Sequence, residues 1–143
     1  MIVLDTNVVS EPLKPAPDAA VLAWLDAQSP ATLCLTSITL AELLAGVAAL
    51  PAGRRRTKLT QALTEQVLPL FEGRVLAFDA LAAHAFGRVQ VGAQAAGNPI
   101  GFADAAIAAI ATAHGYALAT RNVRDFKGTG VRIIDPWLPI PVR

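Results

Sequence analysis

Apolar and polar residues follow two rhythms along the chain. Short apolar runs end in polar turns, as where residues 1–4 lead into the Asp-Thr-Asn turn at residues 5–7. Longer segments place apolar residues three or four positions apart, as at residues 21–25. The first rhythm predicts buried β-strands, and the second predicts amphipathic helices.

The two rhythms alternate from one end of the chain to the other. Strands are predicted at residues 1–5, 32–36, 74–78, 116–120 and 131–135. Helices are predicted after the capping residue Asp18, from the capping residue Ser37 to about Leu50, from about Arg54 to Phe71, from Asp79 to Gly97 and from Gly101 to His114. This alternation predicts an α/β fold, a mostly parallel central sheet flanked by helices, in a single domain spanning residues 1–143. Because ligands bind beyond the carboxyl ends of strands in such sheets, Asp5 and the loop after Thr120 should share one edge.

Composition limits the class of protein. The chain has 143 residues, 54% apolar and 16% charged, which fits a folded domain rather than a disordered tail or a coiled coil. No uncharged apolar run reaches the roughly 18 residues of a membrane span. The residues after Met1 show no secretory signal, and the lone Cys34 lies in a predicted strand. We therefore expect a cytoplasmic protein that binds no membrane.

The basic residues are unevenly distributed, although the net charge is only +1. They fall into two groups, Arg54, Arg55, Arg56 and Lys58 in the first and Arg121, Arg124, Lys127 and Arg132 in the second. Such a run is most often a solvated face, but either group could also contact phosphates.

Three acidic residues stand alone in stretches that otherwise lack charge. Glu42 is the only charged residue among the 27 from Ala27 to Gly53, and Asp104 is the only one among the 32 from Val89 to Thr120. At 16% charged residues, such stretches would hold about four and about five charges. Asp5 is likewise the only charged residue among the first ten. A carboxylate in an apolar element is costly unless a partner keeps it ionised.

No basic residue lies near any of these acids in the sequence. If Asp5, Glu42 and Asp104 converge, a divalent cation or a shared proton must relieve their repulsion. Oxygen ligands without histidine or cysteine favour Mg²⁺ or Mn²⁺ over zinc. Such an ion polarises a phosphoryl oxygen and activates water.

Each acid also has a structural interpretation that stays open at this point. Asp5 could cap the following turn, and Glu42 could face solvent. Asp104 could be an acid at a helix N-terminus, stabilised by the helix dipole, a role compatible with metal binding.

Four segments resemble the motifs of the PIN-domain ribonucleases, in particular the VapC-type toxins and, among them, the FitB branch. These segments are MIVLDTNVVS at residues 1–10, SITLAEL at 37–43, FADAAIA at 102–108 and TRNVRDF at 120–126. Gly130-Val131 and Pro136-Trp137 resemble the family's ending. The motifs occur in order and cover nearly the whole chain.

The resemblance implies a PIN-like fold and an endoribonuclease toxin that binds Mg²⁺ or Mn²⁺ through Asp5, Glu42 and Asp104. It also implies a homodimer, a small cognate antitoxin with a DNA-binding domain, and a structured RNA substrate such as tRNA. Thr120 corresponds to a hydroxyl residue near the metal. Many PIN domains carry a fourth acid where this chain has Asn122, and Asp125 could replace it.

In the mechanism that follows from the resemblance, an activated water hydrolyses an RNA phosphodiester bond, and Arg121, Arg124 and Lys127 contact the RNA. Two other functions compete with this one. A catalytically silent PIN fold would bind RNA or a partner without cutting. A phosphohydrolase of the haloacid dehalogenase type also begins with an aspartate after its first strand, but it needs a second aspartate where this chain has Asn7.

Overall fold

A five-stranded parallel sheet forms the centre of the protein. The computed structural model describes residues 1–139, and within them the strands are β1 (Ile2–Leu4), β2 (Leu33–Thr36), β3 (Val75–Leu76), β4 (Ala117–Ala119) and β5 (Ile133–Ile134). Their spatial order is β3-β2-β1-β4-β5, and every pairing among them is parallel. The predicted α/β fold with a mostly parallel sheet is confirmed.

Helices connect the strands. They are α1 (Thr6–Ser10), α2 (Ala19–Asp26), α3 (Ser37–Ala48), α4 (Arg54–Gln61), α5 (Ala80–Ala95) and α6 (Phe102–His114). Residues 1–139 also contain four short 3₁₀ turns and one π-helical segment, at Glu11–Leu13, Pro30–Thr32, Ala62–Val67 (the π segment), Leu68–Phe71 and Val123–Phe126.

Successive strand residues point to opposite faces of the sheet, so each face has its own core. Val3 and Leu118 pack on one face with the buried alanines and isoleucines of α5 and α6. Leu4 and Ala119 pack on the other face with apolar residues of α1, α2 and α3. Both faces are thus covered, which explains why the strands read as continuous apolar runs rather than as alternating ones.

The helix α6 is the most deeply buried of the helices. Residues 105–111 are fully buried, and five of these seven are alanines, so α5 and α6 pack against each other through small side chains. Gly115 ends α6 in the left-handed conformation, with φ of 70°, as the sequence predicts for a helix stop. This packing fixes the first turn of α6, which carries Asp104.

Two sequence-based details are wrong. The residue that caps α3 is Thr36, whose hydroxyl accepts from the Thr39 N–H at 3.0 Å, and not Ser37. The segment predicted as one helix from Arg54 to Phe71 is α-helical only as far as Gln61. The π segment follows it, and then a 3₁₀ turn. Pro69 cannot donate a helical hydrogen bond, and the tighter turn around it points Phe71 into the core and leaves Leu70 58% exposed.

None of the helices in residues 1–139 is both long enough and apolar enough to cross a membrane.

Candidate active site

The site lies where the connections of the sheet change direction. From β1 the chain moves outward through β2 to β3, and β4 and β5 lie on the other side of β1. The carboxyl ends of β1 and β4 therefore border the cleft that this topology creates. Asp5 directly follows β1 and Thr120 directly follows β4, and the Asp5 N–H donates to the Ala119 carbonyl oxygen at 2.9 Å.

Asp5 is only 4% exposed, and its carboxylate accepts three hydrogen bonds. The Thr6 N–H donates to Oδ1 at 2.8 Å, so Asp5 also caps α1, as its structural interpretation expected. The Thr120 hydroxyl donates to Oδ2 at 2.7 Å, and Asn7 Nδ2 donates to the same oxygen at 3.3 Å. All three donors are neutral, so they stabilise the carboxylate without cancelling its charge.

Glu42 lies on α3 and is exposed, but it is not free in solvent. Its Oε1 accepts from the Thr6 hydroxyl at 2.8 Å. Because the same Thr6 donates its N–H to Asp5, one residue holds both carboxylates, and Asp5 and Glu42 are neighbours in space.

Asp104 lies in the first turn of α6 and is partly buried. Burial and, in decreasing order of importance, the charges of Asp5, Asp125 and Glu42 together raise the pKa of its carboxyl to about 6. These four acids therefore share one electrostatic environment, and we call them the carboxylate site.

No basic side chain of residues 1–139 forms an ion pair with an acid of the carboxylate site. In the part of the chain that the structure describes, the one ion pair is Lys14 with Glu11, at 2.8 Å, and it includes none of the four acids. Four oxygen-bearing groups with uncompensated charge fit a hard divalent cation. However, no three acidic, histidine or cysteine side chains within residues 1–139 lie close enough to form a preformed metal cluster. Within these residues the acids therefore share one electrostatic environment without forming a ready-made chelating cluster.

The loop after β4 brings the remaining predicted residues to this edge. Thr120 is fully buried, and its hydroxyl accepts from the Asn122 N–H at 3.0 Å. Asn122 and Asp125 are both exposed. Of these two candidates for a fourth ligand, Asp125 is the one whose charge acts on Asp104.

The three predicted RNA contacts, which we call the loop cations, are also exposed on this loop: Arg121, Arg124 and Lys127. The Arg121 guanidinium lies over the Trp137 ring, 5.3 Å from its centre. Such stacking holds a cation in place at the surface.

A groove of about 960 Å³ extends from Thr6 and Glu42 towards α4. The basic residues that line it on α4, which we call the α4 cations, are Arg54, Arg55 and Lys58. Its floor is apolar and includes Leu43, Val47 and Leu63.

Sequence reasoning did not single out two residues that hold this site together, Thr6 and Asn7. Both are uncharged and follow Asp5 in what reads as an ordinary polar turn. Their position in that turn, beside the candidate acid, is the one sequence signal that could have identified them.

Known proteins resemble this chain over nearly its whole length. Residues 2–131 match the PIN domain family. The chain is 52% identical over 139 residues to the VapC ribonuclease Y4jK of Sinorhizobium fredii. The aligned residues cover 97% of this chain and 99% of that protein. It is 42% identical over 137 residues to Toxin FitB of Neisseria gonorrhoeae. Here the aligned residues cover 96% of this chain and 99% of that protein. A solved structure of FitAB bound to an IR36 DNA fragment superposes with a TM-score of 0.95 at 39% identity, covering 100% of both chains.

Proposed function

The chain belongs to the PIN domain family, and from that membership we propose that it is a metal-dependent endoribonuclease, the toxin of a toxin–antitoxin pair. The observation that carries the proposal is the convergence of Asp5, Glu42, Asp104 and Asp125 at one sheet edge without a basic partner among the described residues. Relatives named as a VapC ribonuclease and a toxin, each similar over nearly the whole chain, support the same activity.

We assign Asp5 and Asp104 as the principal ligands of a Mg²⁺ ion, for which Mn²⁺ could substitute. When bound, such an ion lowers the pKa of a coordinated water and polarises a phosphoryl oxygen. Glu42 is exposed and held by Thr6, so it can bind the ion through water or orient the attacking water. Asn122 or Asp125 completes the site, and of the two Asp125 adds a negative charge that raises the pKa of Asp104.

The reaction we propose is hydrolysis of an RNA phosphodiester bond. A water oxygen attacks phosphorus in line, the bond from phosphorus to the 3′ oxygen breaks, and the products carry a 5′-phosphate and a 3′-hydroxyl. The RNA's own 2′-hydroxyl takes no part, so the reaction needs no histidine pair. The loop cations are exposed and neighbour Thr120 and Asp125 in the sequence, and we propose that they contact the RNA backbone.

The partners follow from the same membership. We propose a small cognate antitoxin with a DNA-binding domain, supported by the similarity to FitAB bound to DNA. A homodimer and a structured RNA substrate such as tRNA are further parts of the proposal, as is a cytoplasmic location.

The test is Asp5→Asn, which removes charge with little change of shape. We expect this variant to fold as the wild type does and to lose cleavage of RNA in magnesium by at least about a hundredfold, because Asp5 is the most deeply buried acid of the site. Asp26→Asn is the matched control, since Asp26 is exposed at the end of α2, and it should cut at the wild-type rate. Wild-type cleavage by Asp5→Asn would refute the assignment.

Expression in cells separates this function from a silent binding module. A nuclease toxin should arrest growth, and Asp104→Asn should abolish the arrest while the protein is still produced. Growth arrest that persists with Asp104→Asn would favour the silent module.

A further inference from the structure

Asn7 links the two strands that border the cleft. Its Nδ2 donates to Asp5 Oδ2 at 3.3 Å and to the Thr120 hydroxyl oxygen at 3.4 Å. Its Oδ1 accepts from the Arg121 N–H at 3.1 Å. One carboxamide thus contacts the acid after β1 and two successive residues after β4.

We propose that Asn7 is a positioning residue, which fixes the loop after β4 against Asp5 and so sets where Thr120, Arg121 and Asn122 stand in the active site. The inference rests on the proposed nuclease function for its effect on catalysis. Its structural part, the connection between Asn7 and the loop, holds without that function.

The hydrogen-bonding capacity of Thr120 shows why the Asn7 amide is needed. A hydroxyl has one proton to donate and two lone pairs that accept. Asn7 Nδ2 and the Asn122 N–H both donate to the Thr120 oxygen, so the hydroxyl proton is directed to Asp5. Without the Asn7 donor, the Thr120 hydroxyl keeps only two of the three hydrogen bonds that orient it, those with the Asn122 N–H and with Asp5.

The orientation of the Asn7 amide is also determined by its partners. The Arg121 N–H can only donate, and the Asp5 carboxylate can only accept. A flipped amide would point its NH₂ at the Arg121 N–H and its oxygen at the Asp5 carboxylate. The asparagine carboxamide supplies an NH₂ donor shared by Asp5 and Thr120, and an acceptor oxygen for the Arg121 N–H, from one short side chain.

Arg121 is consequently held at two points. Asn7 binds its backbone, and Trp137 lies under its guanidinium. Loss of Asn7 would free the backbone and let the whole loop shift relative to Asp5. Removing a residue that orients the groups around a metal site commonly costs about 10- to 100-fold in activity.

Two substitutions separate the two ends of the carboxamide. Asn7→Ala removes both ends, so the Arg121 amide should exchange with solvent at least about tenfold faster in the metal-free protein. Asn7→Asp keeps an oxygen for the Arg121 N–H but loses the donor and adds a negative charge beside Asp5. The Arg121 amide should then stay protected. For both variants kcat for RNA cleavage should fall about 10- to 100-fold, and KM should change by less than about threefold.

Gln28→Ala is the matched control. Gln28 also donates through a carboxamide, to the Trp24 carbonyl oxygen at 3.1 Å, but it lies just beyond the end of α2. This variant should keep both the wild-type kcat and the wild-type exchange of Arg121. The measurements are amide exchange by NMR on the full chain in EDTA, and steady-state cleavage of an RNA oligonucleotide in magnesium.

The outcomes fall on two sides. Faster Arg121 exchange in Asn7→Ala together with protection in Asn7→Asp supports the proposal, even if the wild type cuts no RNA, in which case the nuclease function alone fails. Unchanged Arg121 exchange in folded Asn7→Ala overturns it, and so does a kcat within twofold of the wild type. If Asn7→Ala does not fold, Arg121 exchange is measured in Asn7→Ser instead. Serine keeps an oxygen, but its side chain is too short to reach both strand ends, so the same faster exchange is expected.

Discussion

Ionisation of the Asp104 carboxyl lowers the free energy of unfolding of the metal-free protein. Burial, and then the charges of Asp5, Asp125 and Glu42, raise its pKa from 3.8 to about 6. A raised carboxyl pKa means that the folded state binds its proton more tightly than the unfolded chain does. The associated stability is fully present below pH 3.8 and is lost as the pH rises through about 6. Above that pH, the metal-free protein carries an unfavourable charge at this position.

Asp104→Asn should therefore stabilise the metal-free protein at pH 8. We expect the free energy of unfolding to rise by about 1–2 kcal/mol, a value reduced for the partial exposure of Asp104 and for the lost attraction to the helix dipole. The gain should disappear by about pH 4, where the wild-type carboxyl is protonated. Urea unfolding in EDTA at both pH values measures this.

The control for this experiment is Asp79→Asn, which keeps a good capping residue at the start of α5 and should change stability little at either pH. A loss of stability in Asp104→Asn at pH 8 would contradict the expected repulsion.

Asp5, Glu42 and Asp104 stand out in the sequence because each is the only charged residue in its stretch of the chain. Thr6 and Asn7 could not be identified in this way, since uncharged polar residues are ordinary in a turn. Their importance arises from the pairing of β1 with β4, which brings Asn7 beside Thr120 and Arg121. That pairing depends on the order of strands in the sheet, which the local pattern does not encode.

At the scale of elements, the turn that carries Asp125 is bound by Asn98, which follows the end of α5. Asn98 Nδ2 lies 3.0–3.3 Å from the backbone carbonyl oxygens of Arg124, Asp125 and Lys127. Beyond this turn, Gly128 lies directly against α5 with φ of 85°. A Cβ on Gly128 would lie 2.6 Å from the Ala96 Cβ and 2.8 Å from the Gly92 carbonyl oxygen.

Gly128→Ala should consequently destabilise the protein by about 2–4 kcal/mol, from overpacking added to left-handed strain. Gly130→Ala is a close control, because Gly130 has φ of 81° but nothing within 4 Å of its Cβ position. It should cost only the strain, about 1 kcal/mol. Thermal and urea unfolding of both variants measure the difference, and equal losses would show that the contact with α5 contributes nothing.

The elements themselves were predictable where one physical signal dominated. The short apolar runs predicted the strands, and the left-handed glycine at position 115 marked the end of α6. The segment after α4 was not predictable, because its apolar spacing continues through Pro69 while the backbone changes from π to 3₁₀. The close approach of Gly92 and Gly128 was also invisible, since it joins residues far apart in the chain.

At the scale of the whole molecule, the net charge of +1 conceals a strong asymmetry. Four acids converge at the carboxyl edge of the sheet, and two groups of cations flank them. The loop cations lie beside the acids on the same loop as Asp125. The α4 cations border a groove with an apolar floor, which does not suit a hydrated sugar–phosphate chain. A polyanion that reaches the carboxylate site should thus contact the loop cations first.

The salt dependence of RNA binding distinguishes the two groups. Each phosphate contact on single-stranded RNA contributes about 0.7 to the slope of log affinity against log salt, so replacing the three loop cations by glutamine should lower the slope by about 2. The same replacement of the three α4 cations changes the total charge equally and should lower the slope by less than about 1. Both triple variants carry Asp5→Asn so that the RNA stays intact, and titrations from low to moderate salt give the slopes. Equal slopes for the two variants would mean that RNA binding depends on overall charge alone. A larger decrease in slope for the α4 variant would mean that the RNA lies along the groove instead.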